Sequence, residues 1–263
     1  NGRIQSLKGL VANGDCQRII YIYGSSSTAT ITDTDGGTNT LNFVRLDRLN
    51  FGGAGVTWNA TNTLDVTSTT GINVTPPATQ TYYWIGGAGN WNDLAKWSLS
   101  SGGTAAGCLP TRVDHVVFDN NSFPGSNQTV TLNVAAEIIN MTWTSGVNAS
   151  PNFSGSQSLI INGDLNIAGT MDWVLTGGLT LRESIILNSG VNWSHNNLVT
   201  FSGTTSGHTI DMAGKTFPYI VYFDNPGNSS SGSWTLASNF SVSTSYYTEF
   251  RDAGFISNGF SIN

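Results

Sequence analysis

The chain has 263 residues, of which 38% are hydrophobic, 11% aromatic and only 10% charged, and its formal net charge is −6. Globular proteins usually carry about 25% charged residues, so with three lysines (Lys8, Lys96, Lys215) the surface must be wetted by hydroxyls and amides. The aromatic content excludes a disordered chain, the acidic balance argues against nucleic acid as a partner, and no run reaches the ~20 apolar residues of a membrane-spanning helix.

Residues 1–75 read as short strands separated by polar turns. Arg18, Ile19, Ile20, Tyr21, Ile22 and Tyr23 form a nearly unbroken apolar run between Gly14-Asp15 and Gly24-Ser25, the pattern of a strand covered on both faces. Thr28 to Thr32 give a second strand. Asp33-Thr34-Asp35-Gly36-Gly37 reads as a turn, and its oxygens at Asp33 and Asp35, followed by glycine, resemble the start of a calcium loop without the downstream bidentate glutamate. Residues 43–51 alternate apolar and polar through Val44, Leu46 and Leu49, a half-buried strand with a wet, charged outer face. Residues 76–81, with Pro76 and Pro77, are the natural joint, since proline donates no ladder hydrogen bond and restricts the residue before it.

Residues 82–97 concentrate Trp84, Trp91 and Trp97 around Gly86-Gly87-Ala88-Gly89 and Asn90-Trp91-Asn92-Asp93. The glycines permit positive φ and close backbone approach, and Asn and Asp bond back to their own turns. The expected arrangement is an aromatic strand, a glycine loop and a turn that folds Trp91 and Trp97 onto Trp84, burying much apolar area at one corner. Ser101-Gly102-Gly103, Cys108-Leu109-Pro110-Thr111, Asp114, Val116-Val117-Phe118-Asp119, Asn121-Ser122-Phe123 and Gln128-Thr129-Val130-Thr131 follow. Together these motifs resemble a recurring unit of very large secreted surface proteins of Bacteroidetes, the SprB-like gliding-motility adhesins and their repeat-rich relatives. The resemblance covers residues 82–131, with looser similarity at Gly53 to Trp58 and Ser233 to Leu236. It marks Trp84, Gly86, Gly87, Trp91, Asp93, Trp97, Cys108, Asp114 and Asp119 as structural motif residues. It also implies an exported, largely non-enzymatic protein, carried by the type IX secretion route typical of that family. On this view residues 1–75 are the β-rich end of one repeat, and residues 82–263 are the Trp/Gly module and coils of the next, so the chain is expected to be a piece of a longer one.

From residue 130 onward short apolar pairs recur, among them Val130/Leu132, Met141/Trp143, Leu159/Ile161, Leu165/Ile167, Trp173/Leu175, Leu179/Leu181, Ile185/Leu187, Val191/Trp193, Val199/Phe201, Ile220/Tyr222 and Trp234/Leu236. Between them lie Asn-Gly, Ala-Gly, Gly-Gly and Asn-Asn turns. Period-2 pairs punctuated at this rate predict an all-β, β-solenoid or parallel β-helix-like fold; stacked asparagines would satisfy one another along a corner. Tandem β-sandwich domains are the alternative. No window holds a helical period; Leu181 to Leu187 comes closest, and its β-branched end favours strand.

The chemistry-bearing residues are sparse. Cys16 and Cys108 are either bridged or two free buried thiols; in the resembled unit the Cys-x-Pro cysteine often has a partner about thirty residues on, and residues 135–140 contain none. Asp114 and His115 alternate to opposite faces of a strand. His195 and His208 lie in polar turns and read as surface histidines. Trp91, Trp97, Tyr246 and Tyr247 are the candidate sugar-stacking platforms, set against the rule that large aromatics are normally core. Asp211 with Lys215, and Glu249 with Arg251 and Asp252, are the only local acid–base groupings of the C-terminal half. Without a nucleophile elbow, zincin helix or phosphate loop, the expectation is a non-catalytic adhesin or filament segment at the cell surface. No cofactor is expected apart from a structural Ca²⁺ at Asp33 and Asp35. The expected partners are extracellular polysaccharide, an abiotic surface or other segments of the same filament. A polysaccharide-binding module and a β-helical lyase or hydrolase are the competing readings.

Overall fold

The computed structural model describes residues 3–64, 66–147, 150–224, 232–251 and 253–263. The chain is an all-β solenoid of about eleven turns with parallel stacked coils. It divides into two compact units, residues 1–79 and 80–263, so the boundary lies inside the proline-containing stretch.

In the second unit each coil presents three short strands to three faces. The first face runs, in spatial order, Trp97–Ser98, Thr81–Trp84, His115–Phe118, Met141–Trp143, Leu165–Ile167, Ile185–Leu187, His208–Asp211, Ser233–Leu236 and Gly254–Ile256. The second carries Gly89–Asn90, Thr129–Leu132, Asn152–Gly155, Met171–Leu175 and Val191–Trp193; in the later coils the pair Thr216–Phe217 and Ser241–Val242 takes the same place in the chain order. The third carries Ala136–Ile138, Leu159–Ile161, Leu179–Leu181, Val199–Phe201, Val221–Phe223 and Thr248–Phe250. A three-residue strand points its first and third side chains inward, which is why the sequence shows isolated i, i+2 apolar pairs. Parallel register stacks like on like: Met141 on Leu165 on Ile185, and Leu159 on Leu179 on Val199 on Val221. All of these are buried. Aromatic rings form ladders inside, with Phe118 over Trp143 at 3.8 Å, Trp173 over Trp193 at 5.1 Å and Phe201 over Phe223 at 4.8 Å.

The corners are stitched by side chains. Asn140 Oδ1 accepts the backbone N–H of Asp164 at 2.9 Å, Asp164 Oδ1 accepts that of Ser184 at 2.9 Å, and Ser184 Oγ accepts that of Thr209 at 3.2 Å. This column satisfies donors that turning the chain removes from the ladders. Asparagine pairs also occur, Asn133 to Asn92 at 2.8 Å in this unit and Asn62 to Asn42 at 2.9 Å in the first.

The first unit, read from sequence only as short strands, is itself a three-faced parallel solenoid. Its faces are Ile4–Leu7, Ala29–Asp33 and Leu49–Gly52; Ala12–Asn13, Gly37–Asn42, Val56–Thr61 and Asn73–Thr75; and Ile20–Tyr23, Val44–Asp47 and Val66–Thr67. The expected single strand over 43–51 is broken at Arg48, whose φ of 53° turns a corner. The parity of the inward residues switches there, so that Val44, Leu46, Leu49 and Phe51 are all buried. The strand at Ile20–Tyr23 is not covered on both faces: it ends its sheet, and Tyr21 and Tyr23 stand outward, 46% and 54% exposed. An end strand has a neighbour on one side only, so even its inward residue Ile20 stays partly open.

Candidate functional site

The Trp/Gly stretch closes one end of the second unit. Gly86 and Gly87, at φ 75° and 73°, reverse the chain after Thr81–Trp84, and Trp84 Nε1 donates to the Gly87 carbonyl at 2.6 Å. Asp93 caps the 3-10 turn Leu94–Lys96 by accepting from the Ala95 N–H at 2.9 Å, and Lys96 Nζ donates to the Gly86 carbonyl at 2.6 Å. Trp97–Ser98 then pairs antiparallel with Thr81–Trp84, placing Trp97 opposite Trp84. Trp97 packs edge-on against Trp84 at 4.9 Å and Trp91 at 4.7 Å. Trp91 and Trp97 are 1% and 0% exposed, so neither offers a ring to a sugar, and that part of the sequence expectation is corrected.

The other motif residues are hydrogen-bond hubs. Asp114, buried, accepts from the Gln80 N–H at 2.9 Å and from Thr111 N–H and Oγ1 at 2.8 and 2.6 Å. Asp119 accepts from the Asn121 N–H at 2.9 Å and holds the turn whose Ser122 carbonyl receives the Gly87 N–H at 2.9 Å. Neither Cys108 nor Cys16 is a free thiol, which corrects the alternative of two free thiols.

At the expected calcium loop, Asp33 is buried and Asp35 exposed. Asp33 Oδ2 accepts from Asn39 Nδ2 at 2.7 Å and Oδ1 from the Asp35 N–H at 2.9 Å; these bonds, the Asn39 one foremost, hold its carboxyl below the usual aspartate range. Asp35 faces Lys8 at 3.8 Å. Among the described residues no three His, Cys, Asp or Glu side chains are grouped to hold a metal ion.

His195 and His208 are buried, not surface residues. His195 Nδ1 accepts from Trp173 Nε1 at 3.3 Å, which fixes the neutral ring with its proton on Nε2. Burial lowers its pKa to about 4.

On the second unit one constellation among the described residues is open to solvent. On the third face the outward residues of successive coils are Thr180, Thr200, Tyr222 and Glu249, in register. Tyr246 and Tyr247, just before Thr248–Phe250, are 37% and 53% exposed. Tyr246 packs tilted against Tyr219, their ring centroids 4.4 Å apart, and the Tyr222 and Tyr247 hydroxyls meet at 3.3 Å. That bond, more than the nearby Glu249 charge, raises the Tyr247 pKa. Arg251 lies 4.2 Å over the Tyr222 ring and bridges Asp224 at 2.7 Å and Glu249 at 2.9 Å; its guanidinium holds Glu249 ionised below the ordinary glutamate range. Asp252, grouped with these residues in the sequence, lies outside the described residues. Asp211 accepts from the Ala213 N–H at 2.9 Å and Lys215 donates to the Ser189 carbonyl at 3.1 Å, with the Asp211 charge acting on Lys215 through space. Sequence reasoning missed Tyr222 because it took Ile220/Tyr222 as the inward pair, whereas Val221 and Phe223 point in; Tyr219, Asp224 and Thr200 belong to no local motif and join the strip only through the stacking of coils. The equally apolar Val221/Phe223 frame was the available signal. The first unit carries a smaller version of the arrangement, with Tyr21 stacked on Tyr23 at 4.7 Å, Arg45 5.0 Å over Tyr21 and the Tyr21 hydroxyl 3.4 Å from Asp47.

No family model, curated protein or solved structure matches the chain. Among the described residues no helix is long and apolar enough to cross a membrane.

Proposed function

We propose that the chain is a non-catalytic segment of a large extracellular repeat-containing surface protein, of the SprB-like adhesin type, that holds a stiff stalk or filament away from the cell. The observation that carries this reading is where the carboxylates go. Asp33, Asp93, Asp114, Asp119, Asp164 and Asp211 each accept backbone N–H groups at turns and corners. Carboxylates tied into turns of the scaffold are not arranged as the paired, opposed acids of glycoside chemistry. Stacked solenoid coils, each unit with its own packed core and an amide- and hydroxyl-rich exterior, suit a mechanical element. The resemblance of residues 82–131 supplies the cell-surface setting and the type IX route.

The test is an antibody raised against residues 80–263 and applied to intact, unpermeabilised source cells. The reading expects surface labelling, and a reactive polypeptide migrating well above 27.9 kDa. Labelling that appears only after permeabilisation overturns it.

A further inference from the structure

Of the side-chain groups that the scaffold does not absorb, the strip on the third face of the second unit is the most developed. Its tyrosines come from two adjacent coils: Tyr222 lies in the strand Val221–Phe223, while Tyr219, Tyr246 and Tyr247 lie in the turns that lead into Val221–Phe223 and Thr248–Phe250, held together by the Tyr219–Tyr246 ring contact and the Tyr222–Tyr247 hydroxyl pair. Tyr222 is fixed from one side by Arg251 and at its hydroxyl by Tyr247. Of the strip's four tyrosines, Tyr246 and Tyr247 are the exposed ones, and Tyr219 and Tyr222 are half-buried. Beside them the column continues with the half-buried Thr200 and Thr180, giving hydroxyls in line with the aromatic rings.

Among the described residues the charged side chains at the strip are two carboxylates, Asp224 and Glu249, against one guanidinium, Arg251. The guanidinium is already committed to both carboxylates, so it offers little to an incoming anion, while carboxylate oxygens retain acceptor capacity for hydroxyls. A row of aromatic faces beside hydroxyls and acceptors, with a net negative charge, fits a ligand that alternates C–H faces with hydroxyl edges and carries no charge. It repels uronate and sulfated chains.

We infer that Tyr246 and Tyr247, backed by Tyr219 and Tyr222 and flanked by Glu249 and Thr200, form a binding site for a neutral, linear polysaccharide. This rests on the proposed role as a non-catalytic surface segment, for which it supplies a ligand class. The tyrosine rings stack on sugar faces; Glu249 and the threonine hydroxyls take the sugar hydroxyls; Arg251 positions Tyr222 and Glu249 without touching the glycan's charge, since it has none.

The experiment titrates the full chain by calorimetry with cellohexaose, laminarihexaose, mannohexaose and, as the charged comparison, hexagalacturonate, and then chromatographs the sugars. The site predicts saturable binding of at least one neutral hexamer and none of hexagalacturonate. Tyr246→Ala with Tyr247→Ala should weaken binding at least about tenfold, since two stacking rings contribute on the order of a kcal/mol or more. Tyr247→Phe, which keeps the ring, should stay within about threefold, so a folding defect in the alanine variant does not decide the matter. Binding to no neutral hexamer, or binding unaffected by the double substitution, overturns the site and leaves the surface-segment reading standing. Self-association lost on the same substitution also overturns it, by making the strip a contact between copies. New reducing ends after incubation overturn the non-catalytic reading instead.

Discussion

The carboxylate of Asp164 stands one coil above the amide of Asn140 and repeats its contact: each side chain accepts the backbone N–H of the residue at the same corner in the next coil, at 2.9 Å. The corner is therefore held by a relay of acceptors, and each member serves its neighbour's backbone. Asp164→Ala leaves the Ser184 N–H without its acceptor and should cost about 1–3 kcal/mol. Asp164→Asn keeps an acceptor oxygen and should cost less than half as much. Urea denaturation of the two variants checks this.

Trp97 joins the capping turn to the core through Trp84 and Trp91, and its Nε1 donates to the Trp91 carbonyl at 2.8 Å. Trp97→Ala removes a fully buried ring at the closed end of the second unit and should cost about 3–5 kcal/mol. Near-UV circular dichroism followed through urea unfolding should show both the lower midpoint and the loss of the tryptophan signal.

His195 makes stability depend on pH. In the fold it is neutral, with a pKa of about 4, against about 6.5 in an unfolded chain. Between those values the unfolded state binds the extra proton, so the contribution is fully present above pH 6.5 and is lost as pH falls towards 4. At pH 4.5 the loss should be about 2–3 kcal/mol relative to pH 7. His195→Phe should remove that part of the acid sensitivity, whatever its effect at pH 7, in denaturation curves run at both pH values.

Two glycines separate backbone need from open space. Gly155 has φ 135°, and a Cβ there would lie 2.3 Å from the Leu132 carbonyl oxygen. Gly178 has nothing within 4 Å of its added Cβ. Gly155→Ala should cost more than about 1 kcal/mol, while Gly178→Ala should be neutral or stabilise by up to about 1 kcal/mol. Thermal unfolding of the pair reads this directly.

The solenoid was legible in residues 130–263 because a three-residue strand writes its inward face as an i, i+2 pair, and Leu165/Ile167 or Leu179/Leu181 admit one frame only. At residues 220–223 four consecutive apolar or aromatic side chains admit two frames, and the parity chosen from sequence buried Tyr222 and hid the strip. The corner at Arg48 was invisible for a related reason: a single residue at positive φ flips the inward parity without a glycine or proline to announce it. His195 read as a turn residue because its neighbours Ser194, Asn196 and Asn197 are polar, although the ring itself turns inward beneath Trp173. The tryptophan cap was the clearest local feature in the sequence, since glycines, an Asx cap and three indoles all point to one compact turn.

The most direct test of the account is an in-frame deletion of residues 80–263 in the source organism, scored for attachment to polysaccharide-coated and bare surfaces and for depletion of soluble polysaccharide from the medium. The account predicts weaker attachment with unchanged depletion. Unchanged attachment with slowed depletion would contradict it and make the chain part of a degrading enzyme.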